Sequence, residues 1–146
     1  MSYLKFMSLF LLSLFLFLYT CELQQDIRNH VSTEERRKNL APKGVNFLMN
    51  AQTAYEQGAY RVALAYTDSV MQYDPRLADL YFLRGRIYTA MQHYDNAVRS
   101  YNKVLELDTE YKGTRFNLGN LMFMKGENRQ AIDLYQEESN LYPASR

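Results

Sequence analysis

ADLYFLRGRIYTAMQHYDNAVRSYNKVLELD, residues 78–108, is the stretch whose periodicity decides the fold. From Tyr94 onward, Ala97, Val98, Tyr101, Val104 and Leu105 recur at steps of three and four, which puts them on one side of a helix. Tyr81, Gly85 and Tyr88 repeat that spacing on a preceding helix. Between the two, Met91, Gln92 and His93 leave room only for a tight connection, so the neighbours must be antiparallel.

Outward from this stretch the same template returns at an offset of 34 residues on either side. Ala63, Ala97 and Ala131 fall in one column; Tyr60, Tyr94 and Asn128 in a second; Leu64, Val98 and Ile132 in a third. Ala51, Gly85 and Gly119 share a small-residue column, and Pro75, Thr109 and Pro143 close the copies. A period of this length marks a stack of supersecondary units, each too small to bury its apolar face alone. Gly58 and Gly126 occupy the intra-copy turn, where a left-handed backbone costs glycine least. Asp74-Pro75 and Tyr142-Pro143 stop the second helices, because proline excludes the helical conformation of the residue before it. Small residues at Ala51, Gly85 and Gly119 face Ala63, Ala97 and Ala131, so two backbones approach closely while aromatics fill the flanks. Tyr60, Tyr81, Tyr88, Tyr94, Tyr101 and Tyr135 fall on packing columns and are assigned to the core. Helices this short are marginal in water by themselves, so stacking must hold them.

The column pattern from Gly44 to Pro143 resembles the tetratricopeptide repeat. That family has small residues at the eighth, twentieth and twenty-seventh positions, bulky ones between them, and proline near the thirty-second. The resemblance implies an all-α fold, a right-handed α-α superhelix of three antiparallel helix-turn-helix repeats at 44–77, 78–111 and 112–146. It also implies a concave face lined by the first helix of each copy, which is where such arrays bind a partner protein or peptide. Leu48, Phe82 and Phe116 fall there at one level, then Gln52, Arg86 and Asn120, then Tyr55, Thr89 and Phe123 with Met124 adjacent. An apolar ladder beside amides and a guanidinium suits an extended or helical peptide, with its backbone or acidic groups on Gln52, Arg86 and Asn120. The alternative for the apolar members is packing between repeats. Members that clamp a C-terminal carboxylate use lysines on these helices; Leu48, Gln52, Leu83, Gly113 and Asn117 stand in that region instead, which argues against a carboxylate-tail receptor.

Charge and composition exclude other classes. Lys and Arg total 17 against 16 Asp and Glu, which gives no electrostatic case for nucleic acid. Two histidines and one cysteine lack metal-ligand spacing, so neither a metal nor a cofactor is expected. His93 sits beside Tyr94 and Asp95 in a turn, and no nucleophile motif or glycine-rich phosphate loop is present. No catalysis is expected.

At the amino terminus, Phe6 to Tyr19 is apolar apart from Ser8 and Ser13, nearer the hydrophobic region of an export signal than the ~20 residues of a membrane span. Leu18-Tyr19-Thr20-Cys21 resembles the lipobox of bacterial lipoproteins, with a leucine three residues before the cysteine and the bulky Tyr19 as a departure. This reading makes residues 1–20 a leader and Cys21 the lipidated first residue, with each buried methylene contributing ~0.8 kcal/mol to membrane anchoring. It places the repeats in the cell envelope, facing the periplasm. An uncut signal anchor, with Lys5 snorkelling, and ordinary cleavage are the alternatives. Residues 21–43 read as a polar tether with few bulky apolar side chains, in which Ser32 and Glu35 fit a capping box for a short helix before Pro42. If flexible, the tether reaches roughly 25–28 Å.

At the other end, Val70 and Met71, then Val104 and Leu105, give way to Glu138 and Ser139. Leu134, Tyr135 and Leu141 would remain partly uncovered, so further repeats or another subunit are expected there. The expected protein is therefore a non-catalytic, membrane-tethered interaction scaffold. The alternatives are an envelope-assembly lipoprotein, of the outer-membrane insertion or pilus secretin type, and the regulatory front of a longer, enzymatic chain.

Overall fold

The computed structural model describes residues 31–143. The leader, Cys21 and the first part of the tether lie outside the described residues. Those described form seven helices and no strands: α1 (Thr33–Asn39), α2 (Pro42–Glu56), α3 (Tyr60–Met71), α4 (Ala78–Ala90), α5 (Tyr94–Leu107), α6 (Thr114–Met124) and α7 (Asn128–Leu141). Helix α2 packs on α3, α4 on α5 and α6 on α7, and these hairpins are joined by α3 against α4 and α5 against α6. The repeat columns are thus hairpins in the expected order.

Each hairpin turns by the same device. Ala59 N–H donates to Ala54 O at 2.8 Å and Gly58 N–H to Tyr55 O at 2.9 Å, the paired bonds that close a helix through a left-handed residue. His93 and Gln92 repeat this on Tyr88 and Thr89, and Glu127 and Gly126 on Met122 and Phe123. The left-handed residue is Gly58 (φ 74°) in the first copy and Gly126 (φ 81°) in the third, but Gln92 (φ 61°) in the second. Between copies, Asp74 accepts from Arg76 N–H at 2.8 Å, and Asp108, its counterpart one period on, accepts from Glu110 N–H at 3.1 Å. Carboxylates that fold back on the backbone two residues later fix these turns.

The core follows the small-residue columns. Ala51, Ala63, Ala97 and Ala131 are buried, as are Leu77, Leu80, Ile87, Val70 and Val104. A Cβ built on Gly85 would lie 2.5 Å from Tyr101 Cε1, and one on Gly119 2.5 Å from Tyr135 Cε1. The first copy meets the same constraint differently, with Ala51 in the glycine column and the smaller Thr67, also buried, in the tyrosine column. Of the tyrosines assigned to the core, Tyr101 is fully buried and Tyr60, Tyr81, Tyr88, Tyr94 and Tyr135 are half-buried.

Residues 33–43, the end of the stretch read as tether, are built onto the repeats. Helix α1 begins at Thr33, Leu40 is buried among Val70, Leu77 and Leu80, and α2 begins at Pro42, where a missing N–H costs nothing. At the far end Glu138, in the column of Val70 and Val104, accepts the Gly113 N–H at 2.5 Å and so anchors the start of α6. Phe116, Phe123, Met124, Ile132 and Leu141 are exposed there, while Leu134 and Tyr135 are half-buried.

Candidate partner-binding groove

Four of the residues expected on the concave face meet in one cleft. Leu48 and Gln52 come from α2, Phe82 and Arg86 from α4, and together with Met49, Thr53, Asp79, Leu83 and Tyr111 they line about 500 Å³. The repeat period places them there: Leu48 and Phe82, like Gln52 and Arg86, are 34 residues apart on equivalent helices. Stacking α4 beside α2 brings the two rows face to face.

The floor is aromatic and apolar. Phe82 packs edge-on to Tyr101 at 5.7 Å between ring centroids and lies 5.0 Å from Tyr111. Deep burial pushes the Tyr101 hydroxyl up to about 12, and burial together with a hydrogen bond to Asp79 pushes Tyr111 up as well. Both stay neutral at physiological pH. Asp79 accepts from Tyr111 O–H at 2.6 Å at one end of the cleft.

The polar side is set by Arg86. Its guanidinium lies 4.6 Å over the Tyr55 ring, a cation–π contact that holds a charge without neutralising it. No carboxylate among the described residues pairs with Arg86. Gln52 donates to Glu56 at 2.6 Å, so its amide nitrogen already has a partner.

Phe116, Asn120 and Phe123 stand apart on α6. Phe116 lies 5.7 Å from the Tyr135 ring, and Asn120 accepts from Tyr135 O–H at 2.8 Å. Asn120 is thereby occupied within its own hairpin rather than offered beside Gln52 and Arg86. Phe123 is exposed and outside the cleft. Sequence reading did not single out Met49, Thr53, Asp79 or Tyr111 for this face. Asp79 carried a usable signal, three residues before Phe82 and seven before Arg86 on one helical stripe. Tyr111, in a loop, carried none.

No group of three or more potential metal-ligating side chains occurs among the described residues. No helix among them is long and apolar enough to cross a membrane. The described residues form a stack of helical hairpins with a cleft between equivalent helices.

Comparison with known proteins agrees. A family model for the TPR repeat matches residues 85–126, which run from the first helix of the second copy into the third. The BBSome complex member BBS4 of Bos taurus is 27% identical over 108 residues, covering 73% of this chain and 21% of its own. The Mus musculus counterpart is 26% identical over the same length, with the same coverage of each chain. An Arabidopsis thaliana protein, described as a probable UDP-N-acetylglucosamine-peptide N-acetylglucosaminyltransferase SEC, is 26% identical over 113 residues, 77% of this chain and 10% of its own. The chain is thus similar to tetratricopeptide repeat proteins, and its consecutive helix pairs are packed as in such repeats. It spans about a fifth of the length of the mammalian relatives and a tenth of the plant one. Arrays of these repeats are protein-interaction scaffolds, generally without catalysis of their own.

Proposed function

We propose that the cleft between α2 and α4 holds a segment of a partner protein, an apolar side chain resting on Leu48, Phe82 and Leu83 while an acidic one meets Arg86. The observation that carries this reading is the state of Arg86. A guanidinium half-buried on Tyr55, with apolar side chains beside it and no carboxylate partner among the described residues, has given up solvation for little return within the chain. A charge-assisted bond to a partner carboxylate would supply it. That relatives are named as members of a complex supports an assembly role.

Capture of partners by the intact protein tests this. Phe82→Ala combined with Arg86→Ala should abolish it, whereas an unaltered partner list would remove the cleft from consideration. Anchoring through Cys21 belongs to the same proposal and is checked separately: Cys21→Ala should release the protein from the membrane fraction, and unchanged retention rejects lipidation.

A further inference from the structure

Helix α1 is attached to the repeats in an unusual way. Thr33 Oγ1 donates to Asp108 at 2.8 Å, Arg36 donates to Asp74 at 3.3 Å, and Arg37 grips Asp79 with two bonds of 2.7 and 3.2 Å. Asp74 and Asp108 are equivalent residues of successive inter-repeat turns, so one short helix spans two joints of the stack. Asp79 belongs to the concave stripe of α4, one turn before Phe82. Thr33, Glu34 and Arg37 also wall a second cleft, which shares Phe82 and Tyr111 with the first. Helix α1 therefore lies against the lower end of the concave face.

It is held there by polar bonds. Of its seven residues, TEERRKN, none is a large apolar side chain and only Thr33 is buried. Arg37 is half-exposed, its guanidinium shared between Asp79 and Glu34. The half-exposed Arg37 pairs each contribute only ~0–1 kcal/mol and are screened by salt, whereas the Arg36–Asp74 pair is largely shielded, at 15% and 17% side-chain exposure. A helix of seven residues does not persist undocked. Leu40, by contrast, is fixed in the core cluster of Val70, Leu77 and Leu80. The segment is fixed by apolar packing at Leu40 and, from Asn39 back to Thr33, by the bonds of Thr33, Arg36 and Arg37.

We infer that α1 is an exchangeable internal ligand, a latch hinged at Leu40, and that an arginine-bearing segment of a partner protein takes its place on Asp74, Asp79 and Asp108. Charge complementarity fixes the class of occupant: the receptor side offers three carboxylates at the spacing that α1 already meets with a hydroxyl and two guanidinium groups. Release of α1 extends the cleft past Phe82 and Tyr111. That consequence rests on the groove reading, but the exchange itself does not, since its test leaves Phe82 and Arg86 untouched.

The test uses the full chain and a synthetic peptide of residues 33–41, TEERRKNLA, blocked at both ends. In the native protein α1 holds the site, and the peptide should bind at least tenfold more weakly than to Arg36→Glu/Arg37→Glu, in which α1 is released. Adding Asp79→Asn and Asp108→Asn to that variant should abolish the gain, and raised salt should weaken it. Amide exchange gives a second readout: Asp79→Asn alone, with α1 intact in sequence, should speed exchange in α1 about two- to fivefold and leave α4 and α5 unchanged. Equal peptide binding by native and released chains, binding that survives loss of the aspartates, or no change in α1 exchange would each overturn the latch.

Discussion

Tyr101 lies so close over Gly85 that a methyl group on the glycine would sit 2.5 Å from the tyrosine ring. The pair shows how the repeat column works: one position must shrink because its partner across the hairpin is large. In the first copy the same two columns hold Ala51 and Thr67, a larger residue facing a smaller one. The steric demand belongs to the pair.

Gly85→Ala should therefore destabilise the protein by about 1–3 kcal/mol, the usual cost of overpacking. In a Tyr101→Thr background, which copies the first repeat, the same alanine should cost nothing and can recover up to ~1 kcal/mol of helix propensity. Urea denaturation of the four proteins in this cycle measures the coupling. Additive effects would show that ring and glycine do not compete for space.

Gln92 offers a gain. Its counterparts in the flanking copies are Gly58 and Gly126, and all three have positive φ. A non-glycine residue in the left-handed region carries a cost of ~1–2 kcal/mol that glycine avoids, partly offset by glycine's greater freedom when unfolded. Gln92→Gly should raise stability by about 0.5–1 kcal/mol, and Gly58→Ala should lower it by a similar amount. Thermal melts decide both signs.

Alkaline pH should unfold the stack through its buried phenols. Burial holds Tyr101 at about 12, against 10.0 for the free side chain, and Tyr111 is raised as well. In the window between those values the folded chain binds more protons than the unfolded chain, so the stabilisation is complete below pH 10 and is lost as pH rises toward 12. Urea midpoints should stay flat to about pH 9.5 and fall steeply above pH 10, with a shallower fall in Tyr101→Phe. Equal slopes for native and variant chains would remove Tyr101 as a cause.

The hairpins were legible in the sequence because packing columns repeat and a repeated constraint shows itself by recurrence. Gly58, Gly126 and the alanine column announced turns and close contacts; Gln92 broke the glycine pattern while keeping its backbone. The cleft was half legible. Leu48, Gln52, Phe82 and Arg86 were found because they share a helical stripe and a period, whereas Tyr111 reaches the cleft from a loop. Asn120 looked equivalent to Gln52 and Arg86, but its bond to Tyr135 depends on a ring that the first copy lacks. Helix α1 was the hardest to foresee in its docking. A capping pattern marked where it begins, but no periodicity in TEERRKN indicates that its threonine and arginines meet three aspartates 38 to 75 residues away.

The exposed apolar end of the third hairpin leads to one more expectation. Ile132 is 54% exposed, although its column counterparts Leu64 and Val98 are half-buried under the following hairpin. Ile132→Ser should therefore change stability by no more than about 0.5 kcal/mol, while Val98→Ser should cost several times as much. Comparable losses at the two positions would show that the third hairpin is already covered.

The central claim is that equivalent helices of a stacked array leave a cleft that grips a partner segment. Site-specific photocrosslinking tests it most directly, with benzoylphenylalanine in place of Phe82 in the intact protein and, as a control, in place of Arg99 on the outer helix. The account predicts a partner peptide joined at position 82, with an acidic residue close to the apolar side chain that is captured, and none at position 99. Adducts at position 99 with none at position 82 would contradict it.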